Sequence, residues 1–292
     1  IYAREEGMPE EVWKAIYFHY MPLGVEVTAP PTRAQLGKAS VTWAAVSLAD
    51  KLDTIVGLFA VGEKPTGSRD PYGLRRAAQG VVKLLADLPQ LGVDKAPTVE
   101  TLVRFVVTEF HLGRDSVETQ GARLLFWLDR FEHLLRARDI SEGAIRAVLH
   151  RRHEGSPLDV LRRAEAVESM RTQEEFVELA RLFKRVNNIV HTEVGALGGA
   201  GIRGKGRELL REPAEISLRQ ALDEVGPKVS ELASSGKYLE ALKVASGLAP
   251  AVDRFFVDVL VMAENADLRG ARLALLGELR DLIWDIADIP AL

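Results

Sequence analysis

Apolar residues return every third or fourth position along nearly all of this chain, and the two-residue alternation of a half-buried strand is scarce. That rhythm restricts the fold to packed helices, an all-α architecture. The clearest helix is predicted from about Lys38 to Val61. Val41, Ala45, Leu48, Leu52, Ile55 and Phe59 follow steps of three and four and so share one face. Trp43, Val46 and Gly57 lie on the opposite side with Asp50 and Asp53, which predicts a central helix whose two aspartates are at least half-buried and partnered. Composition points the same way. Aromatic residues make up only 7% of the chain, while Ala, Leu, Arg and Glu, all good helix formers, are plentiful.

A Pro/Thr/Gly/Ser turn follows that helix at Pro65–Ser68. Asp70 is a plausible N-cap for a second helix, with Pro71 in its first position. Leu88 to Pro97 reads as a connector, and TVETLVRFVVTEF as a helix or, less readily, a strand. From about Ser116 the pattern is a continuous helical array. A glycine-rich run, Gly195 to Gly206, interrupts it and reads as a loop between helices. The expected organisation is therefore a helical domain over 1–115 and a helical bundle over 116–292. In the bundle, Val252, Phe255, Phe256, Val259 and Ala263 mark one apolar face, and Leu268, Leu275, Leu279, Leu282 and Ile286 another.

Several function classes drop out. There is no cysteine, so disulfides, thiol catalysis and Cys-ligated zinc are excluded. No apolar run spans a bilayer, and no signal peptide opens the chain, so no membrane partner is expected. The opening IYAREEGMPEE lacks an initiator methionine and reads as the interior of a cytoplasmic protein. Net charge is −4, so nucleic-acid contact would have to come from local basic patches.

Four groups of residues are candidates for chemistry. His19, Asp50 and Asp53 form a metal-like set of the kind used by HD phosphohydrolases. The adjacent His-Asp pair on which that site depends is missing, so the set reads as a degenerate cluster that holds no metal. Gly199, Gly201 and Gly204 spell a dinucleotide-type glycine pattern, but a helix precedes it instead of a strand. Arg69, Arg75 and Arg76 flank the Pro65–Ser68 turn. A turn feeding a helix N-terminus offers amides to an anion; the alternative is a rigid corner in which Arg69 is tied to a carboxylate. Arg151, Arg152, Arg162 and Arg163, then Lys184, Arg185, Asn187 and Asn188, are the densest basic and amide clusters. Such residues grip phosphates and read base edges, although solvated helix faces have the same composition. No catalytic residue set and no bound cofactor is expected from the chain alone.

Particular strings carry a resemblance. YAREEGMPEEVWKAIYFHYMP, ADKLDTIVGLFAVGEKPTGSRDPYGLRR, FWLDRFEHLL, SPLDVLRRAEAV, FKRVNNIV, REPAEISLRQAL and VDRFFVDVLVMAENADLRGARLALLGELRDLI occur in that order. They resemble the β subunit of the bacterial heterotetrameric glycyl-tRNA synthetase. The resemblance implies an HD-like helical domain followed by an α-helical anticodon-binding bundle of the arginyl-tRNA synthetase type. It also implies a role in holding tRNA(Gly), with no DNA partner. Glycine attachment, using ATP and magnesium, would occur on the α subunit. Asp50, Asp53, Pro65, Thr66, Gly67, Ser68, Asp70, Pro71, Arg75 and Arg76 match the family's central string. Lys184, Arg185, Val186 and Asn188 match its Lys-Arg-Val-x-Asn segment, and Asp258, Met262, Glu264, Arg269 and Arg272 match its terminal helical pair, making Arg269 and Arg272 further tRNA-contact candidates. The glycine-rich loop is longer than the linker the resemblance implies. Two other readings compete: a metal-dependent HD phosphohydrolase acting on nucleotides or RNA, and a scaffold that only holds the α subunit.

Overall fold

The structure, a computed structural model, describes residues 1–110, 117–149, 155–197 and 206–292, with the side chains of 117–124 and 193–197 left out. Among the described residues there is no strand, only a single bridge between Thr66 and Arg69. Arg151, Arg152 and most of the glycine-rich run lie outside the described residues. The chain divides into two compact units, Ile1–Ile140 with Arg152–Leu161, and Ser141–Arg151 with Arg162–Leu292.

The first unit contains α1 (Tyr2–Glu5), α2 (Glu10–Phe18), α3 (Arg33–Leu36), α4 (Ser40–Ala60), α5 (Leu74–Ala86), α6 (Val99–Glu109) and α7 (Val117–Arg136). Helix α4 runs where the periodicity predicts it and packs against α2, α5 and α6. Its rotation differs from the expectation. Val41 and Ala45 face solvent, and the buried stripe is Trp43, Ala44, Ser47, Lys51, Leu52, Ile55, Val56 and Phe59. Trp43 and Ala44 join Ala15, Leu36 and Leu84 in a core cluster, with Phe18, Leu48 and Leu91 at its margin. Two polar residues in the stripe belong there because they serve α2. Lys51 Nζ donates to the carbonyls of His19, Tyr20 and Met21 and to Ser47 Oγ, and Ser47 Oγ donates to Met21 O. The carbonyls at the end of a helix have no partner inside it, so a cation there satisfies the bonds and suits the dipole. Burial pushes the Lys51 ammonium down to about 8, against the pull of Asp50. Helix α5 approaches the same place through Gly80, where a Cβ would stand 2.7 Å from Pro22 O and 2.6 Å from Lys51 Cε.

The first unit retains α7, which the sequence reading assigned to the bundle beyond residue 115. Phe126 packs its ring 5.3 Å from that of Phe59, and Arg138, just past the helix, donates to both oxygens of the Asp87 carboxylate at 2.9 and 3.0 Å. Asp87 also holds Lys83. At the other margin, α2 buries only Ala15, and Val12, Ile16, Tyr17 and Tyr20 are exposed.

The second unit contains α8 (Glu142–Leu149), the later part of α9 (Pro157–Met170), α10 (Glu174–Leu197), α11 (Pro213–Ser234), α12 (Tyr238–Ser246), α13 (Ala249–Asp258) and α14 (Ala266–Trp284). Ser141 begins it: its N–H and Oγ both donate to Glu168 Oε2 on α9. The two apolar faces expected near the chain end are largely inside. Val252, Phe255, Phe256, Val259 and Ala263 are buried, as are Leu275, Leu279 and Ile286, while Leu268 and Leu282 are half-buried. Helix α13 packs on α10 and α11, and α14 packs on both of these as well.

Candidate nucleic-acid interface

The arginines separate into those the fold consumes and those it leaves available. At the corner before α5, Asp70 caps the helix as expected, but from farther away. The helix begins at Leu74, not Pro71, and Gly73 precedes it in the left-handed region at φ +67°. Asp70 Oδ1 accepts from Leu74 N at 2.8 Å, and Oδ2 from Arg75 N at 3.0 Å. The helix N-terminus therefore already holds an anion of its own, which removes the amide site suggested by the sequence. Arg75 folds under the turn and donates to Gly67 O at 2.8 Å. Arg69 and Arg76 remain exposed, and the guanidinium of neither has a hydrogen-bond or ion-pair partner among the described residues, so the Arg69 side chain is not tied to a carboxylate; the Arg69 carbonyl accepts from Arg75. Arg130, unnoticed in the sequence, lies near the corner; burial pushes its guanidinium down from the ordinary range, with Asp129 and Asp70 opposing.

The metal-like set does not assemble. His19 Nδ1 is 2.6 Å from Ile16 O, and Asp50 and Asp53 face solvent. Among the described residues, no three His, Asp or Glu side chains converge as metal ligands. The reason is the rotation of α4: Lys51, between the two aspartates in sequence, is the residue turned toward the end of α2. The expectation of half-buried, partnered aspartates is thereby corrected, and a hydrolytic metal centre loses its ligands.

In the second unit, Arg163 is a structural brace. It donates to the carbonyls of Asp285 and Ile286 beyond the end of α14 and lies 4.1 Å from the Tyr238 ring centroid. Arg162 is half-buried beside Gly236. Arg272 is 7% exposed and pairs through Nε with Glu215, itself 1% exposed, while its NH1 donates to Leu260 O at 2.7 Å. Arg269 donates to Ala263 O at 3.0 Å, and Asn265 Oδ1 caps α14 by accepting from Leu268 N. The candidates Arg163, Arg269 and Arg272 therefore spend donors on backbone carbonyls of their own unit.

What these bonds hold is the other half of the site. The segment between α13 and α14 is fixed at Leu260 and Ala263 from inside, and its side chains alternate: Val259, Val261 and Ala263 are buried, while Leu260 is 74% exposed and Met262 44%, with Val257 on α13 75% exposed. Apolar side chains held in water on a pinned backbone mark a contact surface. Beside them runs α10. Lys184, Arg185 and Asn188 are exposed and Asn187 is half-buried, and the Arg185 guanidinium lies 4.1 Å from the ring centroid of Phe256 on α13. One turn toward the start of both helices the surface becomes acidic. Arg181 bridges Glu178 and Asp253, its hydrogen bond holding the Glu178 carboxyl below the usual range, and these carboxylates line a pocket of about 630 Å³ with Glu175 and Lys243. Sequence reasoning named the basic and amide residues of α10 but passed over Val257 and Leu260. The available signal was that both are large apolar residues off the predicted buried face of α13.

The fold defines an all-helical class of protein, and this face combines amides and cations on one helix, a guanidinium resting on a ring, and outward apolar side chains on a braced corner. A family model described as "Glycyl-tRNA synthetase beta subunit" matches residues 1–150, and one described as "DALR anticodon binding domain" matches residues 181–289. The chain belongs to the glycyl-tRNA synthetase beta subunit family. Its similarity to proteins named glycine–tRNA ligase beta subunit covers all of it. Identity is 38% over 299 residues with that of Ectopseudomonas mendocina (strain ymp), 40% over 304 residues with that of Stutzerimonas stutzeri (strain A1501), and 36% over 292 residues with that of Chromohalobacter salexigens. The chain spans 40% of the length of each of these curated relatives.

Proposed function

We propose that this chain is the tRNA-holding part of a glycyl-tRNA synthetase β subunit, with α10 and the α13–α14 corner taking the anticodon loop of tRNA(Gly). Glycine attachment, with its ATP and magnesium, takes place on the α subunit, and this chain supplies binding and orientation. The observation that carries the reading is the coincidence of the anticodon-binding match over 181–289 with the exposed Arg185, Asn188, Leu260 and Met262 surface. Single-stranded loops are read by stacking and by hydrogen bonds to base edges, and this surface offers groups for both.

The test is filter binding of tRNA(Gly) and of its isolated anticodon stem-loop at two salt concentrations. Binding of both, weakening as salt rises because phosphate contacts release counterions, is the expected result. Failure of the stem-loop to bind, or affinity indifferent to salt, overturns the reading. Co-purification with the α subunit without any tRNA affinity would favour the scaffold alternative.

A further inference from the structure

Arg185 differs from the other arginines of its unit. Arg181, one turn earlier, is engaged by Glu178 and Asp253. Arg163 also lies 4.1 Å from an aromatic centroid, but it is buried and its donors reach the carbonyls of Asp285 and Ile286. Arg185 is exposed and its guanidinium lies on Phe256, with no hydrogen bond or ion pair of that group among the described residues. An unrestrained arginine on a helix surface samples many rotamers. Here the ring gives the guanidinium a resting place, so a ligand meets the group on the side away from the ring.

The surroundings decide what that face suits. A phosphate seeks charge and water. Next to Phe256 in the chain, however, stand the exposed side chains of Val257 and Leu260, and the carboxylates Asp253 and Asp258 are already paired with Arg181 and Arg254. A nucleobase has an apolar face and a polar edge. Its face fits a guanidinium plane bordered by aliphatic groups. Its edge finds Asn188, one turn beyond Arg185 and exposed, whose side-chain amide has no partner among the described residues.

We propose that Arg185 is a stacking platform for one unpaired base of the bound RNA, positioned by Phe256, with Asn188 placed to meet the base edge. This rests on the tRNA-holding role above. Affinity for the anticodon stem-loop of tRNA(Gly) is measured across a salt series for the 292-residue chain and for Arg185→Ala, Arg185→Lys and Arg185→Tyr, with circular dichroism melts confirming that each folds. Loss of one base stack lowers affinity by about 5- to 150-fold. Arg185→Ala and Arg185→Lys are expected to lose binding to a similar extent, because lysine keeps the charge but not the plane. Arg185→Tyr is expected to retain most of it, and the slope of log affinity against log salt should be the same for all four proteins. The assignment is overturned if Arg185→Lys binds like the unaltered chain. It is equally overturned if Arg185→Ala reduces the slope by about 0.7, the signature of one lost single-strand phosphate contact. In either case the unaltered chain still binds and the tRNA-holding role stands. If the unaltered chain does not bind the stem-loop, both readings fall.

Discussion

Two cations, Lys51 and the tRNA-contact candidate Arg272, are internal fasteners. Arg272 joins the start of α11 to the segment after α13 through Glu215 and Leu260 O. Removing one member of a buried pair strands the other charge, so Arg272→Met is expected to destabilise the chain by about 3–5 kcal/mol. Urea melts would measure this; a loss under 1 kcal/mol, the range of exposed pairs, would show that the pair is solvated. Lys51 makes a pH prediction. Its folded-state value of about 8 lies below the ordinary 10.5, so between these values the unfolded chain holds a proton that the folded chain has released. Stability due to this group is at its lower level below pH 8, rises through the window, and is fully gained above about 10.5. Melts at pH 7 and 9.5 should therefore show a gain in the unaltered chain that is absent from Lys51→Met. Neither role was legible in the sequence, because which carbonyls lie near a cation is decided by tertiary packing. The Lys-Arg-Val-x-Asn string was more informative: it places Arg185 and Asn188 on one helix whatever the packing.

At the scale of elements, periodicity located α4 and the buried side of α13 but misjudged the rotation of α4. Its apolar residues are spread around the helix, and the deciding contacts are polar: Trp43 Nε1 donating to Phe18 O, and the bonds of Ser47 and Lys51 to the end of α2. Hydrophobic counting does not register such contacts. The packing of α5 depends likewise on an absent side chain. Gly80→Ala adds about 1 kcal/mol of helix propensity, but the new methyl meets the Pro22 carbonyl at 2.7 Å, a backbone atom that cannot swing aside. Overpacking of this kind costs about 1–3 kcal/mol, so the net effect is expected to be destabilising. A raised melting temperature in that variant would mean that the Pro22 segment and α5 separate easily.

For the whole molecule, the proposed tRNA-holding role has to be carried out at a net charge of −4. A protein without an overall positive field gains little long-range steering, so its association rate should depend on salt far less than its affinity does. Stopped-flow mixing with tRNA(Gly) at two ionic strengths would check this; a steep rate dependence would point to a concentrated basic patch. A division into two parts is expected from the sequence, but the placement of α7 in the first unit is not. It follows from two specific contacts, Phe126 with Phe59 and Arg138 with Asp87.

The seat of Asp70 has one more implication. Because its carboxylate already fills the opening of α5, dissolved sulfate or phosphate finds nothing to displace there and gains the fold nothing by mass action. Emptying that seat with Asp70→Ala should cost about 1 kcal/mol and create a vacancy bordered by the Leu74 and Arg75 amides, so that inorganic oxyanions restore the lost melting temperature in proportion to their concentration.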